Sequence, residues 1–177
     1  MKTNRLRVLA ENTHLSTKRL LLRPKTMNDA SDMFEFTSNI EVARFVFAPD
    51  KDIESVKDYI AQSMSAPLGK FVLELKSEQK VIGTIDFLKF HEQSAEIGYV
   101  IHQNYWGKGY ASEALTCLIE FSFEKLGLKA IHCEHDVENL ASGRVMEKSG
   151  MRKMETLRKM DKVSKTVRSF VEYEIKR

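Results

Sequence analysis

Apolar and polar positions change their rhythm twice along the 177-residue chain. Residues 1–14 show weak periodicity and are expected to form an N-terminal extension, a loosely held arm ahead of one domain spanning 15–177. Arg19 to Arg23 reads RLLLR and meets Pro24, the signature of a short strand that stops there. Thr26 or Asn28 can then cap a helix whose apolar face is Ala30, Met33, Phe34 and Thr37. A short helical turn is expected over 41–45. Beyond Pro49, Asp52 can cap a further helix with Ile53, Val56, Ile60 and Met64 on one face.

After Pro67 and Gly69 the period falls to two. Strands are expected over 71–75, 81–90 and 95–102, joined by polar turns, as an antiparallel meander. In the last of these Ala95, Ile97, Tyr99 and Ile101 share one face, and Glu96, Gly98, Val100 and His102 the other. The turn Trp106-Gly107-Lys108-Gly109-Tyr110-Ala111 leads into a helix that ends at Gly127. Its wet stripe is Glu113, Thr116, Glu120 and Glu124, with Leu115, Leu118 and Ser122 facing inward. A strand over 129–136 follows, then a helix capped by Asn139 and stopped at Gly150, and closing strands, the last over 167–175 with Val167, Val171, Tyr173 and Ile175. A strand, a crossover helix and a strand imply a parallel pair within an otherwise antiparallel sheet. The fold class is α+β: a mixed, mostly antiparallel sheet flanked by helices.

Composition narrows the function classes. Lys plus Arg number 28 and Asp plus Glu 25, and the small excess is spread without a block of like charge, which argues against a nucleic-acid partner. No apolar run approaches the ~20 residues of a membrane span, and residues 1–15 lack the apolar centre of a signal peptide. Cys117 and Cys133 form no CxxC pair and read as reduced thiols, so the expected location is the cytoplasm.

The turn over 106–111 carries the strongest chemical signal. Glycines at a helix start let backbone N–H groups surround an anion, the helix dipole adds to the field, and Lys108 supplies a point charge. A diphosphate cradle and a plain tight turn needing glycine both fit this pattern. It lacks the Gly-Lys-Ser/Thr ending of a triphosphate loop, and Ser112 stands where a dinucleotide fingerprint wants a third glycine.

Four segments together resemble the GNAT superfamily, in particular its Rim-type ribosomal-protein N-terminal acetyltransferase branch. They are Thr17-Lys18-Arg19-Leu20-Leu21-Leu22-Arg23-Pro24, Glu96-Ile97-Gly98-Tyr99, the turn from Trp106 to Ala111, and Asn139-x-x-Ser142-x-x-Val145-x-x-Lys148-x-Gly150. They occur in order and at the family's spacing over about residues 15–177. The resemblance implies acetyl-CoA as co-substrate, with no metal. Its pantetheine arm would lie along backbone groups of Tyr99, Val100 and Ile101. Its pyrophosphate would sit on Gly107, Lys108, Gly109, Tyr110, Ala111 and Ser112, and Asn139 and Ser142 would lie near the thioester. Trp106 takes the position where the family's loop carries Gln or Arg.

An amine must be neutral to attack a thioester, and an α-amine with pKa about 7.7–8.0 needs less help than a lysine at about 10.4. A carboxylate, directly or through water, can serve as base. Glu134 is the favoured candidate because some family members carry their base there; Glu96 and Asp161 compete. Relatives with a tyrosine acid carry it seven residues after the Asn, where this chain has Met146, so Ser142 is the local candidate. The run His132-Cys133-Glu134-His135-Asp136 suggests metal binding, but strand alternation divides it between two faces and no second ligand pair completes a tetrahedron.

The expected function is N-acetyl transfer to a primary amine, best read as the N-terminal α-amine of a ribosomal or other protein. Small-molecule transfer to a polyamine, amino acid or aminoglycoside is the alternative, and a non-catalytic acyl-CoA-binding module stands third. Monomer and homodimer remain open.

Overall fold

The computed structural model describes residues 4–161 and 163–177. The chain begins with helix α1 (Arg5–Glu11), strands β1 (Leu15–Ser16) and β2 (Leu20–Arg23), and helices α2 (Ala30–Thr37), α3 (Ile40–Ala43) and α4 (Ile53–Ser65). Strands β3 (Lys70–Leu75), β4 (Lys80–Phe90) and β5 (Ser94–Ile101) form the meander. Helix α5 (Tyr110–Glu124), strand β6 (Ala130–Asp136), helix α6 (Leu140–Lys148) and strands β7 (Arg152–Met160) and β8 (Val167–Lys176) complete it.

The strands join in one sheet of order β1-β2-β3-β4-β5-β6-β8-β7. The pair β5–β6 is parallel and every other neighbouring pair antiparallel, as the crossover through α5 requires. Alternation along the central strands, shifted by a bulge in β4 between Val81 and Thr84, sends Phe71, Leu73, Ile82 and Ile85 to one face, against Leu115 and Leu118 of α5. Val72, Val81 and Val100 go to the other, against Met33 and Phe36 of α2 and Val56 and Ile60 of α4. The central sheet is therefore covered on both faces.

Helix starts follow the sequence closely. Asp52 accepts the Ser55 N–H at 2.9 Å and starts α4; Thr26 and Asp29 make a reciprocal capping box ahead of α2. Some expected faces are displaced. The buried stripe of α4 runs Val56, Ile60, Ser63, so Met64 falls off its edge and is exposed, while Phe36 is buried in α2.

The stretch 1–14 corrects the expectation of a loose arm. Residues 1–3 lie outside the described residues, but Asn4 caps α1 and Leu9 is buried in the core. Arg5 adds a hydrogen bond to the His91 carbonyl at 2.5 Å. One buried leucine beside an exposed Leu6 leaves no periodic stripe to read. At the other end β7 is exposed along its whole length, and Val167 with it, because the β7–β8 hairpin runs on as the sheet's edge.

Candidate active site

The site is made by a sheet that opens. Parallel pairing between β5 and β6 covers Ser94↔Ala130, Ala95↔Ile131 and Glu96↔His132 and then ends, although β5 runs on to Ile101 and β6 to Asp136. Each strand keeps its outer partner, so the two diverge like the arms of a V. The inner edge over Tyr99, Val100 and Ile101 thereby lines a cavity of about 640 Å³ instead of pairing with β6. Tyr105 to Gly107 and Gly109 to Ser112 close one end, Asn139 to Ser142 cover the side, and 41–46 form the opposite wall.

The turn after β5 is fixed by its own side chains. His102 is buried, and its Nδ1 accepts the Asn104 N–H at 3.1 Å, starting a short 3-10 turn over Gln103–Tyr105. The Trp106 indole N–H donates to the Ile101 carbonyl at 2.7 Å, folding the chain back over the end of β5. Gly107 and Gly109 then take φ of +74° and +81°, a region that side chains disfavour, and α5 begins at Tyr110. A Cβ on Gly107 would meet nothing within 4 Å, so this backbone faces open space.

Arg19 braces the turn from below. Its guanidinium donates to the Lys108 carbonyl at 2.9 Å and to Glu113 Oε2 at 2.6 Å, and lies 4.2 Å from the centre of the Tyr110 ring. Glu113 also accepts from the Arg19 N–H at 2.8 Å and the Thr17 hydroxyl at 2.5 Å. Burial disfavours the Glu113 carboxylate, but these hydrogen bonds outweigh it and hold the group below the usual carboxylate range. Glu113 was expected on the wet stripe of α5; it is half-buried because Arg19 of the neighbouring strand covers it.

On α6, the Asn139 side chain accepts the Ser142 N–H at 3.3 Å. Ser142 meets Tyr99, whose hydroxyl lies 2.9 Å from Ser142 Oγ and 3.0 Å from its carbonyl oxygen. Gly143 lets the helix approach β6 closely, since a Cβ there would come within 2.7 Å of His135 Nε2. Met146 is buried in the core and offers no proton. Arg144 and Lys148, one helical turn apart, reach the cavity wall near the start of α5.

The expected site residues divide cleanly. Tyr99, Val100, Ile101, Gly107, Gly109, Tyr110, Ala111, Ser112, Asn139 and Ser142 all line this cavity. Lys108 does not; its ammonium lies 5.1 Å from the centre of the Tyr105 ring. Nor do the three carboxylates. Glu96 lies in the closed part of the β5–β6 pair, 2.9 Å from His91 Nε2. Glu134 ion-pairs with Lys159 of β7. Asp161 accepts the Ser164 N–H at 2.8 Å in the turn between β7 and β8.

Among the described residues the carboxylates that do line the cavity are Glu41 and Glu138. Glu138 receives Arg168 at 2.9 Å and stands 3.6 Å from Arg44. Arg168 also pairs with Asp136 at 2.8 Å. Glu41, Glu138 and Arg44 carry no sequence signal beyond an ordinary surface charge; Arg144 and Lys148 were not singled out as cofactor contacts either, although cations four apart on a helix are a signal that could have found them.

The run 132–136 has partners of its own. Cys133 is buried, which pushes its thiol up to about 12, and His135 Nδ1 bonds the Asp136 carbonyl at 2.7 Å. Among the described residues no group of three or more His, Cys, Asp or Glu could hold a metal ion, and no helix is long and apolar enough to cross a membrane.

A glycine turn at a helix start, a bared strand edge and a capped helix around one cavity define a protein that can hold an anionic, extended acyl carrier and expose its end. Residues 19–152 match the acetyltransferase (GNAT) domain family, and the chain belongs to it. It is 37% identical over 141 residues to the uncharacterized N-acetyltransferase YnaD of Bacillus subtilis, an alignment covering 79% of this chain and 83% of that one. A GNAT-family acetyltransferase from Bacillus anthracis superposes with a TM-score of 0.84 at 29% identity, over 92% of this chain and 98% of the other. RimL, a ribosomal L7/L12 alpha-N-protein acetyltransferase solved with coenzyme A, shares the fold with a TM-score of 0.80 at 12% identity, over 92% and 97% of the two chains. The protein is an N-acetyltransferase of the GNAT family.

Proposed function

We propose that the chain takes acetyl from acetyl-CoA and transfers it to the N-terminal α-amine of a protein. The observation that carries the donor half is the unbroken cavity from the double-glycine turn, along the bared edge of β5, to Asn139 and Ser142. The N–H groups at the start of α5 suit a pyrophosphate, with Arg144 and Lys148 adding charge. The open edge over Tyr99, Val100 and Ile101 suits the amides of a pantetheine arm, which would add to β5 as a short strand does. RimL, with the same fold, was solved with coenzyme A.

Chemistry at the thioester needs little from ionised side chains. A neutral amine attacks the carbonyl carbon, backbone N–H groups of β5 stabilise the oxygen that gains charge, and the C–S bond breaks. The amine loses one proton and the sulfur gains one. Glu96, Glu134 and Asp161 all lie outside the cavity, and the carboxylates that line it, Glu41 and Glu138, are paired with Arg44 and Arg168, so an α-amine with pKa about 7.7–8.0 that enters already neutral suits this site. Ser142, at the cavity wall, is the hydroxyl assigned to protonate the departing sulfur.

The acceptor end favours a peptide over a polyamine. Glu41, Arg44 and Glu138 present both signs of charge beside apolar Val42, Phe45 and Leu140, where a polyamine would call for carboxylates alone. A panel assay decides this: acetyl-CoA with peptides bearing free N-termini, spermidine, free amino acids and an aminoglycoside, read by CoA release and mass spectrometry. Acetylation of peptide N-termini with much higher kcat/KM is expected. Preferential turnover of spermidine or the aminoglycoside would overturn the acceptor assignment, and transfer to no amine together with tight CoA binding would overturn catalysis.

A further inference from the structure

Tyr99 stands where β5 has parted from β6, and its hydroxyl has two acceptors within reach, Ser142 carbonyl oxygen at 3.0 Å and Ser142 Oγ at 2.9 Å. A phenol carries one proton, so it can donate to one of them at a time. If it donates to the carbonyl, its contact with Oγ is a hydrogen bond only when the serine hydrogen turns toward Tyr99 and away from the cavity. If it donates to Oγ, the serine hydrogen is released and can point into the cavity that Ser142 lines. The two arrangements differ by a rotation of two hydroxyl hydrogens, with no movement of heavy atoms.

We propose that Tyr99 is a positioning residue that directs the Ser142 hydroxyl hydrogen toward the sulfur leaving acetyl-CoA. This rests on the reading, given above, that Ser142 stands at the thioester end of the cavity. The step balances without any other group. The amine nitrogen bonds to the carbonyl carbon and the C–S bond breaks; sulfur takes the hydrogen of Ser142, and Ser142 takes the hydrogen of the amine. Tyr99 keeps its own proton and fixes only the direction of transfer. Burial pushes its ionisation far above the ordinary phenol range, which keeps it a donor throughout. Two neighbouring phenols are engaged elsewhere: the Tyr173 hydroxyl donates to Glu147 at 3.0 Å, and Tyr105 to Glu78 at 2.5 Å.

A double-mutant cycle tests it, with Tyr99→Phe, Ser142→Ala and the two combined, measuring kcat and the KM for acetyl-CoA. Each single change should lower kcat by about 10²-fold while that KM moves less than about threefold, and the double variant should be no slower than Ser142→Ala alone. A purely structural tyrosine would slow the Ser142→Ala enzyme as well. Ser142→Thr, which keeps a hydroxyl, should restore turnover only when Tyr99 is intact. If Ser142→Ala loses its turnover but Tyr99→Phe does not, the positioning role is overturned and the Ser142 reading stands. If Ser142→Ala itself turns over normally, the reading beneath it fails. Should Tyr99→Phe not fold, judged by circular dichroism, Tyr99→Met fills the space without a hydroxyl and takes its place in the cycle.

Discussion

Arg19 and Glu113, far apart in the chain, meet through two hydrogen bonds: the Arg19 backbone N–H reaches Oε1 at 2.8 Å and its guanidinium Oε2 at 2.6 Å. The pair joins the start of β2 to the first turn of α5, and the same arginine holds the Lys108 carbonyl. The conformation of the glycine turn is therefore set from a strand outside it. Arg19→Met and Glu113→Gln should each weaken CoA binding about tenfold, ~1.4 kcal/mol, in calorimetry. Because folding depresses the Glu113 pKa, its contribution is complete above the usual carboxylate range and is lost as pH falls through the lowered value. Thermal stability of the unaltered protein should therefore fall on acidification below about pH 4.5 more steeply than that of Glu113→Gln, and equal slopes would count against the pair.

Gly109→Gln should also weaken CoA binding by about tenfold or more. Its φ of +81° is the reason, rather than lack of space, since a Cβ would meet only Arg19 Nη2 at an ordinary 3.5 Å. A folded variant with unchanged CoA affinity would remove the cradle assignment.

Arg144→Gln with Lys148→Gln should reduce CoA affinity and flatten its dependence on salt, because both cations lie at the cavity wall next to the helix start. Isothermal titrations at two ionic strengths check this; an unchanged salt dependence would show that the phosphates lie elsewhere.

Glu96→Gln and Glu134→Gln should each leave kcat within about twofold, since both carboxylates are engaged outside the cavity, by His91 and Lys159. A fall of about 10²-fold in either would establish it as the base and displace the neutral-amine account.

Leu118→Ala should cost about 2–5 kcal/mol in urea unfolding, because the side chain is fully buried between α5 and the sheet. A loss below about half a kcal/mol would mean that this side chain does not fill the core.

Local signals were enough for much of this protein. The period-two runs over 71–102 gave β3, β4 and β5, Asp52 and Asn139 gave helix starts, and the order strand, helix, strand required the parallel pair. Gly107 and Gly109 marked the tight turn ahead of α5, because positive φ is a property of single residues. Strand alternation assigned Glu96 and Glu134 to a face, but a face is not a place along the sheet. Glu96 sits at the last paired position of β5, opposite His132, and Glu134, beyond that point on β6, turns to Lys159 of β7, so neither meets the cavity. Past that position β5 stays with β4 and β6 with β8, so the place where the two part involves four strands and no segment encodes it alone. The same holds for Arg19 on Glu113, Lys159 on Glu134 and Tyr99 on Ser142. From residue 19 onward the sequence by itself determined the main elements, their order and the turn; only the tertiary structure decided which polar groups meet across them, because such contacts join residues distant in the chain whose side chains choose partners only after the backbone has packed.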